Sequence, residues 1–122
     1  MPTQPTITIE ISVPLSLFDK CRERPIILLD ILTEQQIGHI KAFVFDNLED
    51  KDGAPEVDSL DISFFKYSEE ERRGSFRLHF YINRRFCCSD VESSRQDYID
   101  FQFNYTHEIL HASAIYFNWN LM

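Results

Sequence analysis

The sequence predicts a small α+β domain. Its expected architecture is a mostly antiparallel sheet of about five strands, covered on one face by one main helix (about residues 34–49), in the order β-α-β-β-β-β. Three observations predict it. Apolar and polar residues alternate in separate runs, most clearly at 6–13, 75–86 and 98–105. One stretch, 33–48, carries both a helix start signal and a helical stripe. Eleven Phe and five Tyr fall mostly in the alternating runs, as sheet-core residues do. A chain of 122 residues suits one domain spanning 1–122 with one modest core.

In the first run Ile7, Ile9, Ile11 and Val13 alternate with Thr6, Thr8, Glu10 and Ser12, and Pro14 ends the strand. Leu15, Leu17, Phe18 and Cys21 fit a short helical turn. After Pro25, the run Ile26-Ile27-Leu28-Leu29 reads equally as a buried strand or as the lead-in to a helix. Thr33 and Gln36 form a capping box, and Leu32 can staple onto Ile37. Ile37, Ile40, Val44 and Leu48 then mark one apolar stripe, with His39 at its boundary. Acidic residues crowd the negative end of this helix around 47–50, and Gly53 and Pro55 follow, so it stops there.

A strand is expected near 58–67, with Leu60, Ile62 and Phe64 opposing Asp61, Ser63 and Phe65. A polar turn over 69–74 leads into a strand over 75–86, forming an antiparallel hairpin. In that second strand Phe76, Leu78, Phe80 and Ile82 face the core. Arg77, His79, Tyr81, Asn83 and Arg85 face out. Residues 90–96 read as a polar connection. From Tyr98, the residues Ile99, Phe101, Phe103 and Tyr105 oppose Asp100, Gln102 and Asn104. The odd-numbered apolar series continues through Ile109, Ile115, Phe117, Trp119 and Leu121.

A formal charge of −8 repels nucleic acid phosphates and anionic membranes and attracts basic partners. The basic cluster Arg72, Arg73, Arg77, Arg84 and Arg85 is therefore expected to pair with nearby acids rather than with nucleic acid. The N-terminal residues show neither a basic n-region nor an apolar stretch, and no apolar run approaches membrane-spanning length. Cys21, Cys87 and Cys88 are odd in number and lack metal or redox spacing, so a reduced, cytoplasmic chain is expected.

One stretch carries chemistry. His107-Glu108-Ile109-Leu110-His111 matches His-Glu-x-x-His. On a helix, the two histidines stand one turn apart and can hold zinc, with Glu108 as general base. The segment Thr106–Ala112 resembles the zinc-binding helix of zincin metallopeptidases. That resemblance implies His107 and His111 as zinc ligands and Glu108 as activator of zinc-bound water. The eleven residues after His111 contain no His, Cys, Asp or Glu, so a third ligand would come from upstream, from His79, Cys87 or Asp100. On a strand, Glu108 points away from both histidines and the chemistry is lost. The segment lies in phase with the alternation around it, so strands over 98–106 and about 110–121, with a bend at the motif, are expected.

The reading that follows is a small acidic, non-enzymatic protein-interaction domain without a cofactor. It would act as an inhibitor or immunity-type protein that masks a basic surface on another protein. Segment 46–71 holds ten acidic residues against two lysines. The expected contact residues are Asp50, Asp52, Glu56, Asp58, Tyr67, Glu69, Glu70, Tyr81 and Tyr98, with the tyrosines as anchors. The alternative is a zinc-dependent hydrolase using the 107–111 motif; a third reading is a small-molecule pocket between helix and sheet. An exposed N-terminal edge strand would support a homodimer.

Overall fold

The computed structural model describes residues 5–85 and 92–116. The chain runs β1 (Thr6–Ser12), α1 (Leu15–Glu23), α2 (Ile26–Ile31), α3 (Glu34–Asp46), β2 (Glu56–Ser68), β3 (Arg73–Arg85), β4 (Glu92–Thr106) and β5 (Ile109–Ile115). The five strands form one antiparallel sheet in the order β1-β5-β4-β3-β2. The helices cover one face, and their apolar residues join those of the strands in one core that includes Phe18, Leu28, Ile40, Val44, Phe80 and Phe101. The expected α+β sheet is present. Among the described residues no helix is long and apolar enough to cross a membrane.

α3 forms as its sequence dictates. The Thr33 hydroxyl accepts from the Gln36 amide at 3.1 Å, and the Gln36 side chain accepts from the Thr33 amide at 3.0 Å. Two orphan amides of the first turn are thus satisfied reciprocally. Ile40, Val44 and Leu48 are buried, and the helix ends at Asn47, whose amide folds back to Val44 and Phe45 carbonyls.

α3 is not alone. The expected main helix is joined by two shorter ones: the segment 15–31 folds into α1 and α2. Each starts on a proline, Pro14 and Pro25, whose fixed φ near −57° suits a helix entrance. Phe18 explains why this segment docks. Its ring stacks on Tyr105 at 3.9 Å and meets Tyr67 edge-on at 4.8 Å, so α1 is pinned to β4 and β2 together.

Two expectations about strand phase are overturned. In β2 the register slips between Asp58 and Asp61 and again between Ser63 and Lys66. The inward side therefore moves from Val57 to Ile62 and then to Phe65 and Tyr67. Phe64, expected in the core, is 63% exposed, and Phe65 takes its place. The second change is at the end of β4. Tyr105 pairs with Leu110, Phe103 with Ala112 and Phe101 with Ala114. Direct cross-strand partners share a face. An odd-numbered core in β4 therefore requires an even-numbered core in β5, and Leu110, Ala112 and Ala114 are buried while Ile115 is exposed. Phe117, Trp119 and Leu121 lie outside the described residues. The expected polar connection at 90–96 is also shorter, because β4 already pairs with β3 from Glu92.

Candidate functional site

The His-Glu-x-x-His segment is a turn followed by a strand, not a helix. Thr106 pairs with Ile109, so His107 and Glu108 are the two loop residues of a tight hairpin. Both have positive φ, 53° and 58°. A two-residue hairpin demands this geometry because it matches the twist of the flanking strands; Asn and Gly are its usual occupants. Glu108 has a structural task that accounts for it. Its carboxylate accepts from the Leu15 amide at 2.9 Å, and its carbonyl accepts from the Val13 amide at 2.9 Å. Pro14 offers no capping side chain to α1, so a residue 93 positions away supplies the anion at that helix entrance. Tyr105 adds a hydrogen bond from its hydroxyl to the Val13 carbonyl. Burial and the neighbouring Glu108 carboxylate both raise the Tyr105 pKa, keeping the donor protonated.

His111 lies on β5 opposite Glu10, with Nδ1 3.3 Å from the carboxylate. His107 occupies the exposed turn. Neither upstream ligand within the described residues joins them. Asp100 grips Arg77 through two bonds of 2.7 and 3.1 Å, and His79 is hydrogen-bonded to Ser63. Cys87 lies outside the described residues. Among the described residues no three His, Cys, Asp or Glu side chains gather in a way that could hold a metal ion. Asp61, the residue paired with His79 in the ladder, accepts from the Ile62 amide through Oδ1 at 2.8 Å. Cys21 is fully buried, and burial raises its thiol pKa from 9.0 to about 11, so it is an unreactive core thiol.

The sheet face opposite the helices is where the exposed, distinctive side chains gather. Across β2, β3 and β4 the rows Asp58–Tyr81–Gln96, Asp61–His79–Tyr98 and Ser63–Arg77–Asp100 lie side by side. Arg77 is sandwiched here. Its guanidinium lies 3.9 Å from the Tyr98 ring centre and 5.3 Å from that of Phe64, while Asp100 holds it from the side. That hydrogen bond raises the Arg77 pKa further. Phe64 sits at the second β2 bulge with φ 53°, a conformation that a bulky residue adopts only under strain of about 1–3 kcal/mol. The fold therefore holds an aromatic ring out of the core at a cost in backbone energy.

The nine expected contact residues do not form one patch. Glu56, Asp58, Tyr81 and Tyr98 do share the outer face, with Tyr81 and Tyr98 38% and 41% exposed. Asp50 and Asp52 lie in the α3–β2 connection, where the Asp50 carboxylate and Asp52 carbonyl engage Arg84, a residue in phase with the inward Phe80 and Ile82. Tyr67, Glu69 and Glu70 stand at the far end of β2, on the order of 30 Å away along the strand. Tyr67 is turned to the helix side, under Arg22, and Glu69 is paired with Arg22 at 2.8 Å. Sequence reasoning placed Arg77 and His79 on the outward side of β3 and Asp61 opposite Ile62, but counted none of them among the contact residues; it missed Phe64 as a member of the exposed face. One signal was present for Phe64: adjacent Phe64 and Phe65 in a strand must point to opposite faces, so one of them is displayed. No family model matches the chain, and neither the curated proteins nor the solved structures yield a match.

Proposed function

We propose that this chain is a non-enzymatic protein-interaction domain, of the inhibitor or immunity type, that covers a basic surface on a partner protein. The observation that carries the reading is the outer sheet face. There the strained, exposed Phe64 lies beside the Arg77–Tyr98 stack and next to the acidic first half of β2. Aromatic and arginine side chains supply most of the binding energy in protein interfaces, and a ring held outward before binding loses little freedom on contact. Glu56, Asp58 and Asp61 extend that surface with carboxylates that form no ion pair among the described residues, which favours cationic partners and fast encounter.

Affinity capture with the intact protein tests this. Wild-type protein should retain a basic protein that elutes as salt rises. Glu56→Lys with Asp58→Lys should abolish retention, and Phe64→Ala or Tyr98→Ala should lower it about tenfold or more. Equal recovery by all four proteins, or no retained protein, would sink the proposal.

A further inference from the structure

The second β2 bulge shapes a cleft on the outer face. Phe64 is turned outward there at φ 53°, and the strand then returns to register with Lys66 opposite Ser75. Lys66, Ser75 and Gln102 form one row across β2, β3 and β4, so their side chains share the outer face. The neighbouring row holds Arg77 and Asp100. Ser75 is the short side chain among longer ones, and the bulge bends β2 beside it. A hollow of about 260 Å³ is left over Ser75, walled by Phe64, Lys66, Arg77, Asp100 and Gln102. The groups that line it are largely unspent. The Lys66 ammonium, the Ser75 hydroxyl and the Gln102 carboxamide make no hydrogen bond or ion pair among the described residues. Arg77 gives Nε and Nη2 to Asp100 at 2.7 and 3.1 Å, which leaves Nη1 without a partner among those residues.

We infer that this cleft binds a small monocarboxylate that carries an aromatic ring. Charge selects the anion. Lys66 and Arg77 outweigh Asp100 by one positive charge at the cleft, although the formal charge of the chain is −8. A single negative charge matches that local balance, and a dianion would exceed it inside an acidic protein. The Lys66 ammonium, the Ser75 hydroxyl and the Gln102 carboxamide give the carboxylate its hydrogen bonds, the first of them charge-assisted. Phe64 selects the ring. It is 63% exposed and its backbone is fixed by the bulge, so a second ring stacks on it with little ordering left to lose. The volume lies just below the ~300 Å³ at which pockets for drug-sized molecules begin, which suits one ring on a short chain. The site shares Phe64 with the surface described above but does not depend on the function proposed for it.

The test is an NMR titration of the full chain with phenylpropanoate, read at each backbone amide. The amides of Phe64, Lys66, Ser75 and Gln102 should shift and saturate together, with a dissociation constant on the order of 1–10 mM for so small a ligand. The neutral phenylpropanamide and the ring-free acetate should each bind about tenfold more weakly. Lys66→Met keeps the aliphatic stem and removes the charge, and it should weaken phenylpropanoate about tenfold, as should Phe64→Ala, with circular dichroism unchanged in both. No saturable shift at these amides up to about 50 mM overturns the inference. So does equal binding of the neutral amide, or binding that survives both substitutions undiminished.

Discussion

Replacing Gly74 with alanine tests the packing of the sheet at its most crowded point. Gly74 lies in β3 between Tyr67 of β2 and Phe103 of β4, on the helix-covered side. The two rings stack over it, 6.0 Å apart and 4° from parallel. A Cβ at Gly74 would stand 2.1 Å from the Lys66 carbonyl oxygen and 2.5 Å from the Phe103 ring. The first contact is more than 1 Å inside van der Waals range, and the atom is backbone in the second β2 bulge, so no rotamer relieves it. Phe103 cannot swing away either, because Phe18, Phe65 and Phe76 surround it. Overpacking of this kind costs about 3 kcal/mol, the upper end of its usual range, and the reduced freedom of the unfolded chain returns only about 0.5–1 kcal/mol. Gly38→Ala is the internal control. It sits in α3 with nothing within 4 Å of the added carbon, so it should stabilise by about 0.5–1 kcal/mol. Urea unfolding of the two variants should therefore show opposite signs, with Gly74→Ala lowering the melting temperature by roughly 10 °C. A Gly74→Ala protein within about 0.5 kcal/mol of wild type would refute the packing argument.

Three further outcomes are expected. Glu108→Ala should cost about 1 kcal/mol by removing the anion at the α1 entrance, and Glu108→Gln less, because it keeps an acceptor; metal analysis of protein purified without added zinc should find no stoichiometric metal, whereas zinc lost on His111→Ala would restore the hydrolase reading. The Cys21 thiol, raised to about 11, gives a pH signature. Below about pH 9 both states hold the proton and its contribution is complete; between 9 and 11 the unfolded chain releases it first, so stability should fall by up to about 1.4 kcal/mol per pH unit, a slope that Cys21→Ala should flatten in urea titrations.

What the sequence disclosed follows the range of the interactions involved. The Thr33–Gln36 capping box is a three-residue affair, and it was readable directly. The inward sets of β3 and β4 were readable because those strands pair without a slip. The bulges in β2 were not, since a register slip is fixed by the partner strand and reverses every face beyond it. The hairpin at 107–108 hid in the same way: a period-2 pattern looks continuous across it, although a two-residue turn reverses parity. Sequence distance also misled at the candidate site. Tyr67 and Glu69 stand near Asp58 in the chain, yet a 13-residue strand carries them to the other end and the other face. Glu108 could not be assigned to α1 without knowing that β1 and β5 are neighbours.

That neighbourhood has a consequence for synthesis. Among the described strands the first made is paired by the last: Thr6 meets Ile115. At about 5–20 residues per second, β1 waits on the order of 5–20 s for its partner to leave the ribosome. The helices that cover it can gather on the β2–β3–β4 meander in that time, but Ile7, Ile9 and Ile11 have no ladder to join. The β1–β5 ladder is therefore completed late, by closing one long loop, and until then the isoleucine-rich β1 has no strand partner.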